Sequence, residues 1–360
     1  MKPEVRPSKS VPAPARRRER SPADRKLAAI NLAAVVVPPI GLAIAIVMLW
    51  GTAFDWLYLY LFAGMVVVTA FGVTVGYHRL CTHRSFATSP ILRYAFASAG
   101  SMAVQGPVIH WCSEHRKHHQ HSDGEEDPHS PHMHADGSWG EGVVATLRGA
   151  YHAHIGWLLR DRTPALGKYA RDLNADRAIV LADRHFRYWV LAGLLIPAVI
   201  AGLVTMTWTG AFLGFLWGGL VRVLWVHHVT WSVNSVCHLW GTQPFHSRDE
   251  SRNNAVVALL AMGEGWHNNH HAFPASARHG LRWWEFDPSY LLIRSMSIVG
   301  LASDIRLPDK RHIDRKRMHP TAPETPEIST PAPDPAMPAT AARTGEAPTL
   351  DAPAGAPALL

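Results

Sequence analysis

Eight histidines in three groups are the residues of this chain best placed to do chemistry. His267, His270 and His271 fall at i, i+3 and i+4 within the stretch from Gly263 to His271, and His115, His118 and His119 repeat that spacing far upstream. On an α-helix such positions share one face, and imidazole is the commonest biological metal ligand. His78 and His83 form the third group. Their i, i+5 separation does not align on an ideal helix, so it calls for a distorted or terminating helix end. His238, four residues after Asn234 on one helix face, is a ninth candidate. A single histidine reads more readily as a solvated or structural residue. The repeated pattern argues against that here, even in a chain with 23 histidines. Nine imidazoles suit two metal ions better than one, and the donor type alone fits iron, copper, zinc or nickel. The carboxylates adjoining the clusters, Glu114 and Glu264, are expected to accept hydrogen bonds from imidazole N–H groups rather than to bind metal. His110, His121, His129, His132, His134, His152 and His154 read as surface or supporting groups. The run from Asp123 to Asp127, with Glu125 and Glu126, reads as a solvated acidic loop.

Such clusters need elements that hold them on one side of something, and the composition says what. The chain has 360 residues, 48% hydrophobic and only 18% charged. Its apolar residues are gathered in long uncharged runs, two of them longer than the roughly 20 residues that cross a bilayer. Four spans are expected, over 27–50, 56–77, 188–208 and 211–230. Pro38 and Pro39 should kink the first, and Arg222 should snorkel from the fourth. The segment 91–109 is interrupted by Arg93, Gly100, Gln105 and Pro107. It is expected to be re-entrant or interfacial, because crossing would separate His78 and His83 from His115, His118 and His119. Residues 290–303 read as a helix on the membrane surface. Residues 1–26 form a basic arm and 311–360 a Pro- and Ala-rich tail, both expected to be disordered. The formal charge of +7 comes largely from that arm, which ahead of an apolar span reads as an anchor at anionic lipid rather than a nucleic-acid binder. Basic residues lie in the arm, in 78–187 and after the fourth span, whereas the two short loops hold none. Positive-inside counting therefore places both termini and all histidine clusters in the cytosol. The fold class expected is an all-α integral membrane protein, with four transmembrane helices and a cytosolic helical cap carrying the histidines. Three cysteines without a Cys-x-x-Cys pair exclude a disulfide framework, an iron–sulfur cluster and a thiolate zinc site.

With these residues laid out, the chain resembles the membrane-bound fatty acid desaturases, specifically the Δ9 acyl-CoA, or stearoyl-CoA type, branch. The resemblance covers roughly 73–301. Gly76-Tyr77-His78-Arg79-Leu80-Cys81-Thr82-His83-Arg84-Ser85-Phe86 is similar to the family's first histidine box, and His115 to His119 to the second, followed by Asp127-Pro128-His129 and His154-Ile155-Gly156-Trp157. Asn234-Ser235-Val236-Cys237-His238 resembles its Asn-Ser-x-x-His element, and Glu264 to Pro274 its third box. The resemblance implies a di-iron site on His78, His83, His115, His118, His119, His238, His267, His270 and His271, with Asn234 contacting one iron through water. It also implies O2-dependent insertion of a cis double bond, at Δ9, into a saturated acyl chain. O2 is then a co-substrate, and a membrane-embedded apolar tunnel sets the bond position.

Two departures stand out. Extra residues between Ser130 and Leu147 include His132 and His134, and Ser113-Glu114 stands where CoA-using relatives carry a basic residue and an acid. The carrier is left between acyl-CoA and acyl-lipid, with Arg160 and Arg162 as headgroup candidates. No His-Pro-Gly-Gly haem segment occurs, so electrons are expected from a separate ferredoxin, cytochrome b5 or NADPH-dependent reductase, in a bacterial plasma membrane. A related di-iron hydroxylase is the alternative. A histidine-rich metal transporter fits poorly, since transporters place ionisable ligands near the bilayer midplane.

Overall fold

A computed structural model describes residues 22–49, 55–134, 137–159 and 166–318. Residues 1–21 of the arm, most of the first loop, Arg160, Arg162 and the tail from 319 lie outside the described residues. Almost all regular structure among the described residues is helical; the exception is a hairpin of two two-residue strands, β1 (Met133–His134) and β2 (Gly137–Ser138). Four helices are long and apolar enough to cross a membrane: Ala28–Met48 within α1 (Pro22–Leu49), α2 (Trp56–Thr82), α7 (Phe186–Thr205) and α8 (Trp208–Leu239). The four expected spans are present, with two changes at their ends. Helix α1 begins at Pro22, inside the arm, and runs unbroken through Pro38 and Pro39. Helices α2 and α8 continue past residues 77 and 230, so His78 and His238 belong to the ends of the spans themselves.

Burial ranks these helices. Half of the apolar window of α2 and of α8 is buried, against 17% for α1 and α7, so α2 and α8 form the inner pair and the other two leave most of their apolar side chains exposed. Between them lie α3 (Pro90–Ser101), α4 (Val108–His121), α5 (Val143–His154) and α6 (Arg177–Arg184). At 12 residues α3 spans about 18 Å, too short to cross a bilayer. Ser89 caps it and Pro90 takes its first position. Its Gly100 meets Gly72 of α2 backbone to backbone: a Cβ built on Gly72 would sit 2.2 Å from Gly100 N. After α8 come α9 (Ala255–Leu260), α10 (His267–Ala272), α11 (Pro288–Ile298) and α12 (Lys310–Lys316). Helix α11, in the segment expected on a membrane surface, buries Ile293 and Met296 and exposes Leu291 and Ile298.

Arg222 corrects a second expectation. Rather than snorkelling, its side chain is fully buried, and its guanidinium donates to Gly218 O, Met102 O and Gly193 O at 3.2, 2.6 and 2.7 Å. The Gly193 carbonyl is available because Pro197, four residues on, has no N–H to offer it. Met102 ends α3, where helix carbonyls lack partners. One cation thus ties α3, α7 and α8 through carbonyls that the helices leave over.

The α2–α3 contact yields a paired test. Gly72→Ala should destabilise the detergent-solubilised protein by about 1–3 kcal/mol through overpacking. Gly64→Ala, on the same helix with open space around it, should leave the thermal midpoint unchanged or slightly raised. Equal midpoints for the two variants would refute the close approach.

Candidate metal centre

All nine expected histidines converge, and they do so as two adjacent donor groups. Ring nitrogens of His78, His83, His115, His119 and His270 form one; those of His118, His238, His267 and His271 form the other, with the donor atoms of each group all within 4.8 Å of one another. The His119 and His271 rings, one from each group, stack 4.4 Å apart.

Local structure explains the convergence. From Gly72 to Thr82, α2 is a π-helix, and the His83 N–H bonds to the His78 carbonyl at 3.1 Å. An i→i+5 backbone bond brings residues five apart onto one side, and the two rings lie 4.7 Å apart. Helix α4 presents His115, His118 and His119 at ordinary α-helical spacing, and His238 closes the last turn of α8. Helix α10 has only six residues and is held from its opposite face. The Asn268 side chain exchanges hydrogen bonds with the Phe245 backbone, 2.9 and 3.0 Å, and Asn269 Nδ2 donates to Glu285 at 2.7 Å.

Four carboxylates orient the rings. His78 Nδ1 meets Glu264 Oε2 at 2.6 Å, His118 Nδ1 meets Asp127 at 3.0 Å, His238 Nδ1 meets Asp123 at 2.9 Å, and His271 Nδ1 meets Asp249 at 2.5 Å. Glu264 is itself held by Arg79 at 3.2 Å and His279 Nδ1 at 3.3 Å. The loop from Asp123 to Asp127 is therefore not a solvated acidic loop. Asp127 is buried and Asp123 reaches across to α8, and only Glu125 and Glu126 face solvent. Glu264 sits as expected beside an imidazole; Glu114 is half-buried on α4, one residue before His115. Asp249, His279 and the buried His129, whose ring packs 4.3 Å from that of His118, carry no spacing signal that sequence reading could use. The hairpin in the extra segment brings His132 to within 2.8 Å of the His238 carbonyl, through Nε2.

Electrostatics favours the neutral form in six of the nine rings. Burial, reinforced by repulsion among neighbouring imidazoles, pushes His83, His115, His119, His267 and His270 well below the usual histidine range. Burial pulls His271 down to about 4, although Asp249 opposes it. Burial would raise Asp127 and Glu264, but the facing histidines outweigh it and hold both carboxyls ionised. A neutral ring whose Nδ1–H goes to a carboxylate has a bare lone pair on Nε2. His78 and His238 each present Nδ1 to a carboxylate, and their Nε2 atoms face His270 Nε2 at 3.1 Å and His267 Nε2 at 3.0 Å. The series continues from His270 to His119 at 2.9 Å and from His119 to His115 at 3.0 Å. Hydrogen bonds can satisfy only part of such a string. His83 Nε2 and His271 Nε2 have no partner although both are buried. Cations bonded at about 2.1 Å place neighbouring nitrogens about 3 Å apart, so this donor set fits metal.

An apolar cavity reaches the centre between its two groups. It holds about 60 Å³ of open space and is lined by His78 and His115 from one group, His267 from the other, and Asn234 and Glu264 beside them. Val66, Ala70 and Val73 of α2 and Val226, Val229 and Val233 of α8 form most of its depth. Trp111 stacks on His115 with ring centroids 5.0 Å apart, and its Nε1 donates to Gln105, which in turn donates to Thr230 at 2.8 Å.

The fatty acid desaturase family model matches residues 56–296. The chain belongs to that family. It is 42% identical over 283 residues to the hex-5-enoyl-(acyl-carrier protein) acetylenase of Moorena producens, covering 79% of this chain and 87% of that one. It is 38% identical over 244 residues to the sn-1 stearoyl-lipid 9-desaturase of Anabaena variabilis, covering 67% and 80%. Against the acyl-CoA C20 Delta5-desaturase of Anemone leveillei it is 38% identical over 255 residues, covering 70% and 74%. The protein is accordingly an enzyme, an oxidoreductase of lipid metabolism, and the family generally works with a di-iron centre.

If the carboxylates orient the rings, Asp249→Asn should weaken metal retention by about 10–100-fold. Iron per chain after titration with a chelator measures this. Retention equal to wild type would show that Asp249 does not support the site.

Proposed function

We propose that this desaturase introduces a cis double bond at Δ9 of a saturated acyl chain, at two irons held by His78, His83, His115, His119 and His270 on one side and His118, His238, His267 and His271 on the other. Asn234 approaches one iron through water, and Glu264 and Glu114 act as hydrogen-bonding supports. The observation that carries this reading is the pair of imidazole groups meeting at the end of an apolar cavity. Irons so held would supply O2 activation, using two electrons from a separate ferredoxin, cytochrome b5 or NADPH-dependent reductase.

The chain's own residues do the rest. The valine-lined walls from α2 and α8 exclude water and leave an acyl chain little room to turn, which fixes the carbons presented to the centre; such positioning is a large part of any rate enhancement. Glu264, locked by Arg79 and His279, keeps the His78 ring in place. The rings of Trp111 and Tyr77, 5.7 Å apart, stiffen the wall beside His115. Basic residues lie at the N-terminal side of α1, follow α2 and follow α8, and the short loops carry none; this distribution supports a centre and termini on the cytosolic side of a bacterial plasma membrane.

The relative from Moorena producens is named an acetylenase, which supports a second reading in which an existing double bond is dehydrogenated further. Expression in a host unable to make unsaturated fatty acids, with double bonds located by mass spectrometry, separates these outcomes. Growth without supplement and 9-enoic acids are expected, and His270→Ala should abolish both. Alkynoic acids from supplied alkenes alone would select the second reading, and hydroxy acids as the main product would remove both.

A further inference from the structure

The cavity at the metal centre is walled off from a second, larger one by a partition one side chain thick. The second holds about 500 Å³ and runs between Leu42 of α1, Phe62 of α2 and the stretch of α8 from Trp217 to Leu224. Trp225, Val229 and Leu260 line both cavities. Two of the three also open outward, Trp225 at 41% and Leu260 at 39% exposure. Trp225 lies on a helix long and apolar enough to cross a membrane, where outward means hydrocarbon, and Leu260 ends the short α9 beside it. Besides the indoles of Trp217 and Trp225, the polar side chains on the outer wall are His228 and Ser232, and these two are engaged within the protein. Ser232 Oγ donates to the His228 carbonyl at 2.7 Å, and His228 Nδ1 meets His154 Nε2 at 2.9 Å.

We propose that the outer cavity is a side entrance through which the acyl chain of a bilayer glycerolipid reaches the centre, with Trp225 and Leu260 as its door. The proposal rests on the desaturase reading above and names the carrier for that site. Depth decides between carriers. Leu42 lies near the middle of the span Ala28–Met48, so the entrance opens at the level of lipid tails, where a water-soluble thioester does not reach. A glycerolipid keeps its headgroup at the interface and already has its chain beside the door. Moving that chain from lipid to an apolar cavity exchanges one hydrocarbon setting for another, so passage depends chiefly on displacing the wall. The Trp225 ring packs edge-on against Phe62, with centroids 6.1 Å apart, an aromatic contact that rotation can break and remake.

The test uses the purified full chain in nanodiscs, with a phosphatidylglycerol carrying a diazirine at the end of one acyl chain. A matching CoA thioester serves as the second probe. After irradiation, the lipid probe is expected on peptides holding Trp225, Val229 or Leu260. Leu224→Trp and Leu42→Trp each add bulk to the outer cavity alone. Each should cut that labelling, and desaturation of lipid-borne chains, by roughly tenfold through overfilling, with iron per chain unchanged. Two variants on different helices guard against one misfolding. Wild-type labelling elsewhere, labelling indifferent to both variants, or capture of the CoA probe in place of the lipid would overturn the entrance. Labelling requires no turnover, so a labelled door in a protein that makes no double bond would uphold the entrance and remove the desaturase reading instead.

Discussion

The structure depends on one constraint: nine imidazoles are packed side by side, and burial disfavours charge on six of them. A protonated histidine deep in such a cluster would face both desolvation and repulsion from its neighbours. Neutral rings avoid that, at the cost of lone pairs that point at one another. Carboxylates on Nδ1 settle which nitrogen is bare, and a shared cation would satisfy the bare nitrogens. Glu264, Asp127, Asp123 and Asp249 are thus part of the centre as much as the histidines they hold. Each carboxylate is ionised because its histidine faces it, and each ring is oriented because its carboxylate is ionised.

The helices answer to that constraint. The inner pair, α2 and α8, carry metal-side residues on their terminal turns, so the spans run directly into the centre without a hinge. The π-helical stretch of α2 is the device that lets His78 and His83 serve the same group. Close contact at Gly72 and Gly100, and the Arg222 guanidinium among leftover carbonyls, fix α3 and α7 against the inner pair. A site assembled from four separate segments keeps its donor distances only if those segments cannot slide. The same rigidity shapes the apolar cavity, because α2 and α8 supply both its walls and two of its metal-side ends.

Much of this was legible in the sequence. The i, i+3, i+4 groups on α4 and α10 could be read because helical periodicity is local. The spans could be read because bilayer thickness imposes a length. The i, i+5 pair pointed to a distorted helix end, and a π-helix is what stands there. Other features depend on contacts remote in sequence and leave no local trace. Asp123 and Asp127 look like any acidic loop until the fold sets them against His238 and His118. Asp249 and His279 lie in no motif of spacing. Arg222 resembles a snorkelling residue until Pro197, on another helix, frees a carbonyl for it. Periodicity reveals which residues share a face, and only tertiary packing reveals what that face meets.

Mössbauer spectroscopy with total metal analysis, on protein purified from cells grown on isotopically enriched iron, tests the central claim most directly. The account predicts two irons per chain in nitrogen-dominated environments, both sensitive to loss of a histidine from either group. A single iron, or a centre filled by zinc in a protein that still forms double bonds, would contradict it.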